Sequence, residues 1–369
     1  LFTDGRYTIQ SQIESGKNFK ILGFESLINC KLFRNLTLGI DPRLFTSFQL
    51  NRYFKKYNNI KEIETNLVDL IYNKYSFQSK PFYSLDKNIT GENHLAKVNK
   101  ISSFLKKVKK NFLFVSSPEN AAWLLNIRGF DNPNSPIPNC QIILNNKNIY
   151  FFSDIKKIRK IKSSIDYKKI KFFDFSEFVE VLNTLNGKNF SIDKNSCSIF
   201  NKSIILSKYN ILNEIDPCYG LKAIKNKTEI KNMIEAHVTD GVALTKFLYW
   251  IKNKKNFNFT EIDAEKKLEN FRKRNNKFLY PSFNTIAGSG PNGAIIHYRA
   301  NKDSNRKINK NDIFLCDSGG QYSYGTTDVT RTMCFSKPSS KIKNIFTRVL
   351  KGHISVFNTN LNKINTGKK

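Results

Sequence analysis

Acidic residues are scarce in this sequence. Thirty Asp and Glu stand against 61 Lys and Arg, for a formal net charge of +31. So one-sided a balance invites a nucleic-acid reading, but the arrangement argues against it. The lysines are spread through every segment and mixed with Asn, Ile, Phe and Tyr, as expected of solvated faces in a protein from an A/T-rich genome. Lys106, Lys107, Lys109 and Lys110 read as one face of a helix. Phe112 and Phe114 alternate with apolar neighbours, so they read as core strand residues and not as stacking platforms. No specific nucleic-acid partner is expected.

Other absences narrow the field. The six cysteines, Cys30, Cys140, Cys197, Cys218, Cys316 and Cys334, form no CxxC pair and no zinc spacing. Several lie inside apolar stretches, where a thiol acts as a small hydrophobe. A reduced, cytoplasmic setting is the simplest reading. No apolar run approaches the roughly 18 residues needed to span a bilayer, so no membrane partner is expected. No repeat of solenoid period is evident.

A chain of 369 residues is long enough for two or three domains. In the first part, Leu38 to Pro42 reads as a strand ending in a helix-start signal, and Ser47 to Tyr57 as a helix. Pro81, Asp86, Asn88 and Gly91 mark a linker between Ser79 and Gly91. A second α/β pattern follows, with helices over 94–110 and 119–125 and a strand over 111–116. Gln141–Leu144 and Asn148–Phe152 read as a hairpin around Asn145 and Asn146. Before it come Arg128-Gly-Phe-Asp131, a candidate Arg–Asp turn stabiliser, and a loop over Pro133–Pro136. The third part begins near Asp216-Pro217. Asn226 and Glu229 form a helix-start signal, and Ile230, Met233, Ile234, Val238, Val242 and Leu248 follow at helical spacing. Thr260-Glu-Ile-Asp263 starts a second helix with Ala264, Leu268 and Phe271 inward.

The most informative stretch is Asp317-Ser-Gly-Gly-Gln-Tyr-Ser-Tyr-Gly-Thr-Thr-Asp328 and its flanks. It sets two carboxylates near one hairpin, with an apolar strand on each side. A carboxylate at the end of an apolar strand is costly unless a proton, a cation or several donors compensate it. Two brought together repel. A pair of divalent cations resolves both problems, since one carboxylate can chelate and another can bridge. Turn-capping aspartates are the plainer alternative. Upstream, Gly288-Ser-Gly290-Pro-Asn-Gly293 is a literal GxGxxG. A dinucleotide site needs a helix after that run, whereas Ala294-Ile-Ile-His297-Tyr298 reads as a strand. His297 at its end is a candidate proton donor or substrate-holding group.

The runs Ser-Gly-Pro-Asn-Gly-Ala-Ile-Ile-His-Tyr, Cys-Asp-Ser-Gly-Gly-Gln-Tyr and Gly-Thr-Thr-Asp-Val-Thr-Arg-Thr-Met resemble Xaa-Pro aminopeptidase (aminopeptidase P) in its three-domain form. Thr3–Tyr7, Trp123–Gly129, Leu221–Glu229 and Lys351–Ile354 fit the same family in order. Asn66–Ile71 resembles the strand-to-loop exit of the family's first domain. The resemblance implies an α/β fold: two creatinase-like N-terminal α/β domains, residues 1–88 and 89–216, then a pita-bread α+β metallopeptidase domain, residues 217–369. It implies two divalent ions, manganese foremost with zinc or cobalt as alternatives. By resemblance Asp317 chelates one ion and Asp328 bridges both. His297 is the active-site histidine that contacts substrate and helps stabilise the tetrahedral intermediate. Arg128, on a loop that the family places near the active-site mouth, is a further substrate-binding candidate. The family's remaining ligands, one His and two Glu, match no residue here; His94, His237 and His353 do not fit, and His353 reads as part of a packed helix. The chain therefore reads as a fragment of a longer protein, cut at both ends and by itself inactive. Peptides with proline in second position are the implied substrates, and a homodimer the implied assembly. A prolidase-type dipeptidase and a non-catalytic peptide-binding module of the same fold are the alternatives. Retention of Asp317, Asp328 and His297 argues against the module, and creatine hydrolysis does not need the two aspartates.

Overall fold

The computed structural model describes residues 1–72, 80–162 and 167–360. The expected chain end, Leu361–Lys369, and Ser79 of the expected linker lie outside them.

The first region is built from short parallel pairs. Phe2–Thr3 pairs with Leu22–Gly23, and Thr37–Ile40 with Asn59–Glu62. The helix Ser47–Tyr53 joins the second pair and stops short of the expected Tyr57. Thr46 starts it by accepting the Gln49 amide, while the Gln49 side chain returns to the Thr46 amide. Asn66–Ile71 is not the strand exit expected. Asn66 accepts the Val68 amide and caps a short helix, Leu67–Ile71. The apolar run there is shorter than its capping signal is strong. The linker expectation also changes. Tyr83–Ser84 is a strand paired antiparallel with Ile127–Arg128, so residues on both sides of position 88 share a sheet. Lys87–Thr90 is one helical turn, closed by Gly91 at a left-handed φ of 71°.

A six-stranded mixed sheet forms the middle of the molecule. Its spatial order is Ile170–Phe173, Ile149–Phe152, Gln141–Leu144, Phe112–Val115, Asn189–Ile192, Asn210–Asn213. The expected hairpin over 141–152 is antiparallel and in register, Gln141 opposite Phe152. Period-two alternation sends Leu113, Val115, Ile142 and Phe151 to one core and Phe112, Phe114, Ile143 and Phe152 to the other. Both faces are covered by helices, so these strands read as unbroken apolar runs. Phe112 stacks on Phe190 with ring centroids 4.7 Å apart. The helix over His94–Lys107 ends before two of the four lysines assigned to it; Lys109 turns left-handed at φ 53° and Lys110 pairs with Glu214.

In the last region Asp216 caps the helix Pro217–Ala223, and reciprocal Asn226/Glu229 bonds start a 26-residue helix, Lys227–Lys252. Its helical spacing holds, but the buried face is not the one the apolar residues suggest. Ala236, Asp240, Ala243, Leu244, Phe247 and Ile251 face inward, while Ile234 and Val238 are more than half exposed. Thr260 and Asp263 start the helix Glu261–Arg272, with Ala264 and Leu268 fully buried. Strands Ile286–Ser289, Ile313–Ser318 and Val329–Cys334 form an antiparallel sheet centred on the second. Leu244, Phe247, Leu268, Phe314 and Cys316 pack between it and the two helices. Ser340–Phe357 is helical as expected but not packed: none of its residues is buried.

Candidate metal and substrate site

The central strand Ile313–Ser318 sets the chemistry by its alternation. Phe314, Cys316 and Ser318 are buried; Leu315 and Asp317 face the other way. Asp317 pairs with Thr330 and Ser318 with Val329 across the hairpin. Asp328, two residues before Thr330, shares its face. Diagonal neighbours of this kind lie about 7–8 Å apart, within reach of two carboxylates around a cation. Thr330 Oγ1 donates to Asp317 Oδ1 at 2.6 Å. Burial, and secondly the Asp317 carboxylate, push the Asp328 carboxyl above the usual carboxylate range. Such a pair asks for positive charge. Its donors are hard oxygens, which suit a divalent cation of the magnesium or manganese kind. Two carboxylates do not enclose two ions. Among the described residues no group of three or more His, Cys, Asp and Glu side chains is gathered to hold a metal.

The hairpin's other face is tied down by charge. Asp240 and Arg272 form a bidentate ion pair at 2.7 and 3.0 Å, each side chain 1% exposed. Arg272 Nη2 also donates to Ser318 Oγ at 3.0 Å, and Tyr322 Oη to Asp240 Oδ1 at 2.9 Å. The residue after Asp317 is thereby fixed to both long helices. Backbone crowding helps: a Cβ on Gly319 would lie 1.9 Å from the Thr327 carbonyl oxygen, so only glycine lets the chain approach so closely there.

His297 is not at the end of a strand. Gly290–Ala294 is a 3₁₀ turn, and His297 follows at a left-handed φ of 56°. The buried carboxylate of Glu261 shapes this loop. It accepts the Ser289 amide at 2.7 Å, the Arg306 amide at 2.9 Å and the Tyr298 hydroxyl at 2.7 Å. Within the loop the Ile295 and Tyr298 amides bond back to the Asn292 and Ile295 carbonyls in place of strand pairing. The exposed His297 ring lies edge-on to Tyr7, with Nδ1 3.3 Å from its hydroxyl. Among the described residues no hydrogen bond joins His297 to Asp317 or Asp328. The GxGxxG run has no dinucleotide geometry: a 3₁₀ turn, not a helix, follows its strand, and a Cβ on Gly288 would lie 2.8 Å from Gly293 Cα.

Arg128 is not a partner of Asp131. Asp131 bonds Lys157 at 2.5 Å and the Asn139 amide at 2.6 Å. Arg128 Nη1 donates instead to the carbonyls of Ala122 and Ile127. It lines a half-open cavity of about 560 Å³ between the middle region and the helix Lys227–Lys252, with Gln321–Thr326 on the far wall. The 133–136 loop borders both places. Ser135 and Pro136 line the cavity, and Asn134 Nδ2 donates to Asn284 Oδ1 at 3.4 Å, two residues before the strand position opposite Asp317. His237 Nδ1 lies 2.9 Å from the Met233 carbonyl, His94 stacks on Tyr167, and His353 sits on the exposed last helix.

Arg272, Asp240 and Glu261 were not anticipated from sequence. Glu261 was legible only as part of a helix start, and the Asp240–Arg272 partnership spans 32 residues with no motif to announce it.

Residues 231–367 match the profile of metallopeptidase family M24, and residues 73–229 that of the creatinase/prolidase N-terminal domain. The chain thus carries a creatinase/prolidase-type domain followed by an M24 metallopeptidase region of pita-bread α+β fold. It is similar to Xaa-Pro aminopeptidases of the P type. It is 32% identical to a probable Xaa-Pro aminopeptidase P of Laccaria bicolor, over 96% of this chain and 59% of that protein. It is 32% identical to Xaa-Pro aminopeptidase ApepP of Drosophila melanogaster, over 97% and 62%. The crystal structure of an X-prolyl aminopeptidase from Caenorhabditis elegans, described as a cytosolic enzyme with a di-nuclear active site, superposes with a TM-score of 0.81 at 27% identity. That match covers 92% of this chain and 59% of the other. The chain thus spans about three fifths of the length of the relatives it matches.

Proposed function

We propose that this chain contributes the first part of the metal centre of an Xaa-Pro aminopeptidase, which releases the N-terminal residue from peptides with proline second. The carrying observation is the Asp317–Asp328 pair, two carboxylates on one face of a hairpin inside the M24-matching region. Asp317 would chelate one divalent ion and Asp328 bridge two, manganese being our first choice. When bound, the ions lower the pKa of water and polarise the scissile carbonyl. Thr330 orients Asp317 through its hydroxyl, as outer partners of ligands do. His297 contacts the substrate and supports charge on the tetrahedral carbonyl oxygen. Arg128 holds substrate from the cavity at the mouth. The two aspartates alone are too few for a two-metal site, so the remaining ligands must come from other residues and this chain by itself is expected to turn over poorly. The Caenorhabditis relative's cytosolic character supports a cytoplasmic assignment, and among the described residues no helix is long and apolar enough to cross a membrane. A homodimer is part of the same proposal.

The test is release of the first residue from an Arg-Pro-Pro peptide with added manganese, by this chain and by a version extended to the relatives' length. Activity in the extended version, abolished by Asp328→Asn, is expected. Full activity in the 369-residue chain would overturn the incomplete-site reading, and an active Asp328→Asn enzyme with both ions the bridging role.

A further inference from the structure

The cavity beside Arg128 has an unusual balance of charge. Arg128 is half-buried, yet among the described residues its hydrogen bonds go only to two backbone carbonyls, both through Nη1. A half-buried cation with no anion in hydrogen-bond contact is costly. Two further donors beside it are also unmatched. Trp123 Nε1 and the Tyr280 hydroxyl are buried without a hydrogen-bond partner. Trp123 and Arg128 both line the cavity, and the Tyr280 hydroxyl lies close enough to Arg128 and Tyr83 to feel their charge. Neither carboxylate in the wall hydrogen-bonds Arg128: Glu119 accepts from the Tyr219 hydroxyl and Glu229 from the Asn226 amide, and Glu229 reaches Arg128 only through the field of its charge. Lys222 and Lys225 add positive charge at the rim. Much of the remaining wall is apolar, with Ala122, Ile137 and Met233, beside polar Thr90, Ser135 and Gln321. A volume of about 560 Å³ is that of a small-ligand site.

We propose that this cavity binds an apolar group bearing a carboxylate, which Arg128, Trp123 and Tyr280 meet while the apolar wall takes the rest. The carboxylate can be the C-terminus of a short peptide or that of a free amino acid. Both present the planar two-oxygen acceptor that a guanidinium edge and neighbouring donors match. This deepens the substrate-binding role given to Arg128 and rests on it, but binding here requires no metal.

Calorimetric titration of the full chain in chelator separates the two. N-acetyl-phenylalanine is expected to bind in about the millimolar range, and its amide more weakly. Arg128→Gln should weaken the acid by about 10–100-fold, the range of a charge-assisted hydrogen bond. Because Arg128 also ties two carbonyls, Tyr280→Phe and Trp123→Phe serve as second variants. Each removes a donor with no present partner, so thermal stability should hold or rise while affinity for the acid falls several-fold. Free phenylalanine binding more weakly than its acetyl derivative identifies a peptide end; the reverse identifies a free amino acid. Equal affinity for acid and amide, no heat at about 10 mM ligand, or unchanged affinity in Tyr280→Phe and Trp123→Phe would overturn the proposal. A failed aminopeptidase assay would leave it standing, and its own failure would leave the metal reading standing.

Discussion

The hairpin from Ile313 to Cys334 carries acid on both of its sides, under opposite conditions. On the buried side, Asp240 meets Arg272 with two short hydrogen bonds and accepts a third from Tyr322. On the open side, Asp317 and Asp328 face one another with a threonine hydroxyl and no cation from the described residues. The first arrangement satisfies itself. It links the two long helices to the strand and leaves nothing to bind. The second is incomplete in charge, and the first keeps it from relaxing, because Ser318 is held one residue away. A rigid support beneath and unmet demand above are what a preorganised cation site requires.

The largest expected effect lies on the buried side. Arg272→Met leaves Asp240 buried without its counter-charge and should cost about 3–5 kcal/mol, read as a fall in the urea midpoint. Adding Asp240→Leu should restore part of that loss; a double variant as unstable as the single would show that packing, not charge, dominates. On the open side Asp328→Asn should leave circular dichroism unchanged and weaken manganese binding, measured calorimetrically, by at least about 10–100-fold, the loss seen for even an outer partner of a ligand. The same substitution tests the sign of the local electrostatics. Asp328 has its carboxyl raised on folding, so its contribution is fully present below the unfolded pKa and is lost as pH rises through the higher folded value. Without metal, the native chain should therefore lose stability relative to Asp328→Asn as pH climbs above the ordinary aspartate value of about 4. A flat or opposite difference would remove both the burial of Asp328 and its repulsion by Asp317 from the account. Thr330→Val deletes one hydroxyl on Asp317 and should cost only about 0.5–1.5 kcal/mol, with a modest loss of metal affinity. Tyr7→Phe, at an exposed 3.3 Å contact to His297, should change stability least, by under about 0.5 kcal/mol.

What was legible in the sequence follows the same division. The open side is written locally: Asp317, Asp328 and the glycines between them sit in one short run, and hairpin pairing puts both acids on one face. The capping pairs at Asn226 and Thr260 and the strands of the middle sheet are local too. The buried side depends on partners distant in sequence. Asp240 turned the long helix by taking a polar residue inward, so the apolar set at 230, 234 and 238 is not its core face. Around His297 the expected strand gives way to turns, with the Ile295 and Tyr298 amides bonded to the Asn292 and Ile295 carbonyls, while Glu261 anchors the Ser289 amide before the segment and the Tyr298 hydroxyl at its end. At Asn66 a side-chain cap outweighed a short apolar run.

The last helix has a practical consequence in solution. Along Ser340–Phe357 the side chains of Phe346, Val349 and Phe357 are 58%, 68% and 83% exposed. Sticky surface of this kind normally drives self-association. A net charge of +31 opposes it, because like-charged molecules repel before apolar stripes can meet. That repulsion reaches about 10 Å at 0.1 M salt and only about 3 Å at 1 M. Ionic strength is therefore a colloidal switch for this chain: light scattering should report dispersed particles in dilute buffer and growing clusters as salt is added.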